Sequence, residues 1–64
     1  MREWLVSTRR NLGLSQRSVA DQINISPPSY CNIEHGKRKP TIEHAKAIAK
    51  VLGFNWTRFY EDDK

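Results

Sequence analysis

The sequence predicts an all-α domain of five short helices. Apolar residues recur at three- and four-residue spacing, no segment sustains the apolar/polar alternation of a strand, and Gly13, Asn24, Gly36 and Gly53 punctuate the chain at helical intervals. A chain of 64 residues holds one modest core, so residues 1–64 are expected to form a single domain.

The first helix is expected from about Arg2 to Asn11, with Leu5, Thr8 and Leu12 on one stripe, Trp4 beside it and Gly13 as a left-handed terminator. Ser15 suits the N-cap of a second helix that buries Val19, Ala20 and Ile23 and stops at Asn24, a residue tolerant of positive φ. After a linker of about three residues, Ser26 and two prolines open a third helix, with Tyr30 and Ile33 inward and Gly36 at its end. Proline suits a first helical turn, where its missing N–H would go unpaired anyway. Pro28 nevertheless disfavours helical geometry at Pro27, so this helix is expected to start one residue late. Thr41 caps the fourth and longest helix, whose Ala45, Ile48, Ala49 and Leu52 make a buried stripe ended by Gly53. Asn55 caps a last short helix through Trp56, Phe59 and Tyr60, before the acidic tail Glu61-Asp62-Asp63.

The formal charge of +4 is unevenly placed. Arg2, Arg9, Arg10, Arg17, Lys37, Arg38 and Lys39 stand against only Glu3, Asp21 and Glu34 in residues 1–40, whereas acids and bases cancel in residues 41–64. A polyanionic partner would face the first part. No apolar run approaches the roughly 20 residues that span a bilayer, and no signal-peptide pattern opens the chain, so no membrane partner is expected. The single cysteine, Cys31, excludes a scaffold built on internal disulfides, and a cytoplasmic location is the expectation. No nucleophile, base and orienting group come together in the sequence and no glycine-rich phosphate loop exists, which argues against an enzyme; no cofactor is implied.

Residues 16–35 fit two short helices joined by a tight turn, the helix-turn-helix unit that presents its second helix to the DNA major groove. Val19, Ile23, Ile25, Tyr30 and Ile33 supply the apolar positions, and Ala20 is small where the helices cross. Lys37-Arg38-Lys39-Pro40 leaves the second helix as a basic loop.

The strings Leu12-Gly13-Leu14-Ser15-Gln16, Val19-Ala20, Ile25-Ser26, Ile33 through Pro40 and Ile48 through Phe54 resemble the XRE family, the lambdoid phage repressor and Cro-like helix-turn-helix regulators. The resemblance implies a compact lambda repressor-like DNA-binding domain that recognises double-stranded DNA as a homodimer, each subunit placing residues 27–35 in successive major grooves roughly 34 Å apart. It also implies transcriptional repression by operator occupancy. By position, Gln16 would contact phosphate, as would Lys37, Arg38 and Lys39, while Arg9 and Glu34 match an ion pair between helices one and three. Arg17 and Ser29 are added as backbone contacts, because two prolines remove N–H groups with which a helix start binds phosphate. Pro27, Pro28 and Asn32 match positions from which family members read base edges, with Cys31 beside them. Asn32 suits adenine, while the prolines, which depart from the family's usual polar residues, can offer only an apolar face, such as one for a thymine methyl.

Other readings attach to some of these residues. Cys31 and His35 share a helix face at the spacing of half a metal site, but a structural zinc site wants four ligands and His44 alone cannot complete it, so no metal is expected. Trp4, Phe54, Trp56, Phe59 and Tyr60 are assigned to core and dimer rather than to a single-strand stacking platform, with Trp56, Phe59 and Tyr60 as the dimer contact. The alternative function is a protein-interaction module, such as an antitoxin or anti-repressor, that binds a partner protein through these carboxyl-terminal aromatics.

Overall fold

A computed structural model describes residues 1–61. These form α1 (Glu3–Asn11), α2 (Gln16–Gln22), α3 (Pro27–Glu34), α4 (Ile42–Leu52) and α5 (Arg58–Glu61), with no strand among the described residues. The five-helix, all-α expectation holds. Asp62 and Asp63 of the acidic tail lie outside the described residues.

The helix boundaries follow from capping chemistry. The side-chain oxygens of Ser15, Ser26 and Thr41 each accept from the backbone N–H three residues on, at Ser18, Ser29 and His44. Gly53 takes φ 78° to end α4, and Asn24 takes φ 60° in the turn after α2. Asn55 Oδ1 accepts from Thr57 N at 3.0 Å, stabilising the turn that leads into α5.

Three boundary expectations are corrected. α3 starts at Pro27 and not one residue late, because Ser26 absorbs the extended geometry with ψ 148° and both rings fit the first turn, where no N–H is needed. The α2–α3 connection is four residues, Ile23 to Ser26, since Ile23 is already the C-cap of α2. α5 begins at Arg58 and leaves Trp56 in the preceding turn.

The core joins Leu5 of α1, Val19 and Ala20 of α2, Ile23 of the turn, Tyr30 and Ile33 of α3, Ala45, Ile48 and Leu52 of α4, and Phe59 of α5. α2 and α3 pack most closely, and the fully buried Ala20 leaves room for that approach. Leu12 does not join the α1 stripe: it is 52% exposed. The chain has already left the helix there, and Arg9 occupies the inward position. Trp4 packs instead with Phe54 and Phe59, ring centroids 5.1 to 5.5 Å apart, so aromatic area closes the end of a core that aliphatic residues alone would leave small.

Candidate nucleic-acid interface

The inward residues of α3 are Tyr30, Ile33 and Glu34, which leaves Pro27, Pro28, Cys31, Asn32 and His35 along the opposite side. At 3.6 residues per turn these five fall within an arc of about 140°. Pro27, Pro28, Asn32 and His35 are exposed and Cys31 is partly buried. The stripe carries no acidic side chain. Arg17 on α2 and Lys37 and Arg38 in the loop after α3 are exposed as well.

A buried polar cluster fixes α3 to the two helices beside it. Arg9 Nε donates to Glu34 Oε2 at 2.6 Å and Arg9 Nη2 to Glu34 Oε1 at 3.3 Å, a two-pronged pair, while Arg9 Nη1 donates to the Leu14 carbonyl at 2.7 Å. Gln16 Nε2 donates to Glu34 Oε1 at 2.9 Å. Burial pushes the Glu34 carboxyl up, but the hydrogen bonds from Arg9 and Gln16 outweigh it and hold the carboxyl below its usual range. The same contacts raise Arg9, chiefly the hydrogen bond to Glu34, and burial followed by the neighbouring carboxylate drives the Tyr30 hydroxyl well above its ordinary value. α1, the start of α2 and the end of α3 therefore meet at one carboxylate.

Arg2 is placed differently from the sequence expectation, which counted it among bases facing a polyanion. It is buried, with its Nη1 donating to the Ile33 carbonyl at 2.6 Å and its own N–H to the Glu34 carbonyl at 2.7 Å. The last carbonyls of α3 need such donors. No local signal reveals this, because the partner is 31 residues away. Arg9 is turned inward onto Glu34, the partner that the family resemblance implied, so the exposed bases of this part of the chain are Arg10, Arg17, Lys37, Arg38 and Lys39.

Among the expected dimer residues, Phe59 is corrected. It is fully buried inside the subunit and has no surface to offer a second copy. Trp56 and Tyr60 are partly buried and stacked edge to face at 5.7 Å, with Lys46 over the Trp56 ring and Lys39 over the Tyr60 ring, each at 5.2 Å. Lys39, expected on the DNA backbone, thus has its ammonium drawn to the α5 side of the loop.

Two short helices packed against each other across a four-residue turn define the helix-turn-helix class. A helix-turn-helix family model matches residues 6–59. The chain belongs to the XRE-type helix-turn-helix family of DNA-binding transcriptional regulators. It is 44% identical over 62 residues to YqaF of Bacillus subtilis (strain 168), named an uncharacterised HTH-type transcriptional regulator, covering 97% of this chain and 82% of that protein. It is 38% identical over 58 residues to the HTH-type transcriptional regulator DicA of Escherichia coli (strain K12), covering 88% of this chain but only 43% of DicA. No solved structure matches. No helix among the described residues is long and apolar enough to cross a membrane.

Proposed function

We propose that this chain represses transcription in the cytoplasm by occupying an operator as a homodimer, with α3 of each subunit in the major groove. The observation that carries this reading is the exposed, acid-free outward stripe of α3, with exposed Arg17 on the preceding helix and exposed Lys37-Arg38 in the loop that follows. Asn32 lies on that stripe and has the amide that pairs with adenine N6 and N7 together. Pro27, Pro28 and Cys31 complete the base-facing set. Gln16, Arg17, Ser29, Lys37 and Arg38 hold the phosphate backbone and set the register.

Geometry favours two subunits. One subunit is 28 Å in its longest dimension, short of the roughly 34 Å between successive major-groove faces on one side of the duplex. The partly exposed Trp56 and Tyr60 are the contact surface for the second copy.

Selection of bound duplexes from a random pool tests this reading. Enrichment of a palindrome with half-sites about one helical turn apart, bound more weakly as salt rises, is the expected result. Recovery of a stoichiometric partner protein, together with no salt-dependent duplex binding, would replace it with an interaction module that uses the same aromatics.

A further inference from the structure

The outward face of α3 begins with two side chains that carry no hydrogen-bonding atom, and the backbone beneath them is closed as well. Pro27 and Pro28 have no N–H, the Ser29 N–H donates to Ser26 Oγ at 3.3 Å, and the Tyr30 N–H donates to the Ser26 carbonyl at 3.1 Å. The Ser26 hydroxyl in turn donates to Ser29 Oγ at 2.8 Å. What this turn offers outward is a pair of exposed pyrrolidine rings with the partly buried Ser29 hydroxyl at their flank. The next exposed side chain that can both donate and accept is Asn32, more than a turn along.

In the major groove the four base pairs differ in donors, in acceptors and in one apolar group, the C5-methyl of thymine. Two rigid rings pressed against N7, O6, N6 or N4 would exclude water from those atoms without replacing its hydrogen bonds, which is unfavourable. Pressed against a methyl, they bury apolar area on both sides. We propose that Pro27 and Pro28 form a reader of the pyrimidine C5-methyl group at the base pairs opposite the first turn of α3. The reading rests on α3 lying in the major groove as set out above.

A methyl reader ranks bases differently from a hydrogen-bond reader. Thymine and 5-methylcytosine are equivalent to it at these positions, whereas uracil, which pairs as thymine does, is rejected together with unmethylated cytosine. Operator affinity therefore responds to cytosine methylation wherever the methyl falls opposite the two rings.

The test uses the whole wild-type chain and the duplex recovered from the random pool, with each thymine replaced singly by deoxyuridine. About fourfold weaker binding is expected for each methyl that faces the rings. At those positions 5-methylcytosine paired with guanine retains the affinity of thymine paired with adenine, and unmethylated cytosine does not. The variant P27S/P28S, whose serines suit a first helical turn, loses this sensitivity. Unchanged binding with uracil at every thymine would overturn the inference and leave groove binding standing. Sensitivity that persists undiminished in P27S/P28S would assign the methyl contact to other residues and overturn it as well. A pool that enriches no duplex removes the underlying DNA-binding reading, and this inference with it.

Discussion

The guanidinium of Arg2 donates to the main-chain carbonyl of Ile33 at 2.6 Å, so the start of α1 is tied to the last turn of α3. The same guanidinium lies 5.7 Å from the centre of the Phe59 ring. One side chain thus joins α1, α3 and α5. Its charge is stabilised by carbonyl dipoles at a helix carboxyl end and by an aromatic face.

Replacing Arg2 should therefore weaken the fold without touching the outward side of α3. Arg2→Ala is expected to cost about 2 kcal/mol, the usual loss when a charged donor to a buried carbonyl is removed. Arg2→Lys should cost less, because it keeps the charge near Phe59. Urea unfolding midpoints at constant slope measure both.

Glu34 gives a second prediction, with a pH signature. Its carboxyl is held below the ordinary glutamate range, so the unfolded chain takes up a proton before the folded one does as pH falls. The carboxylate's stabilising contribution is fully present above the unfolded value of about 4.3 and is lost as pH drops through the lowered folded value. Glu34→Gln should cost about 3 kcal/mol near neutral pH, since it leaves Arg9 buried without its counter-charge. It should also flatten the decline in stability below about pH 4.3. Chemical denaturation across pH 2.5 to 7 (approximately the window set by these values) measures both effects. An unaltered acid limb in the variant would assign that limb to other carboxylates.

Lys37 and Asn32 should separate on DNA. Lys37→Ala is expected to weaken binding to all duplexes alike and to make the slope of log affinity against log salt shallower by about one. Asn32→Ala should cost about 1 to 3 kcal/mol on the preferred operator and relax discrimination at one base pair. Fluorescence anisotropy over a salt series, with matched and substituted duplexes, distinguishes the two patterns.

Phe59 and Tyr60 are neighbours in sequence with opposite environments. Phe59→Ala should cost about 3 to 5 kcal/mol, which removes most of the stability of a domain this small. Tyr60→Ala should leave the fold nearly intact and shift the monomer–dimer balance toward monomer. Thermal unfolding paired with sedimentation equilibrium gives both readouts. Equal loss of stability in the two variants would contradict the burial difference between them.

The helices, their caps and the inward faces of α2, α3 and α4 were determined by the sequence itself. Capping, left-handed termination and apolar periodicity act over a few residues, and Ser15, Ser26, Thr41 and Gly53 carry those signals locally. The outward stripe of α3 was legible for the same reason, as the complement of Tyr30 and Ile33. Periodicity could not tell an inward arginine from an outward one. Arg2, Arg9, Arg10 and Arg17 are alike in sequence, but only Arg10 and Arg17 stay exposed, because only Arg2 and Arg9 meet carbonyls or a carboxylate brought to them by packing. Leu12 and Phe59 reverse their expected places on the same grounds, one left outside where the chain quits α1 and the other drawn under Trp4 and Phe54. Local hydrogen bonding and side-chain spacing set the elements. Which charges and which rings are removed from water depends on contacts between residues some 20 to 60 apart (roughly a third of the chain or more), and those exist only once the helices have packed.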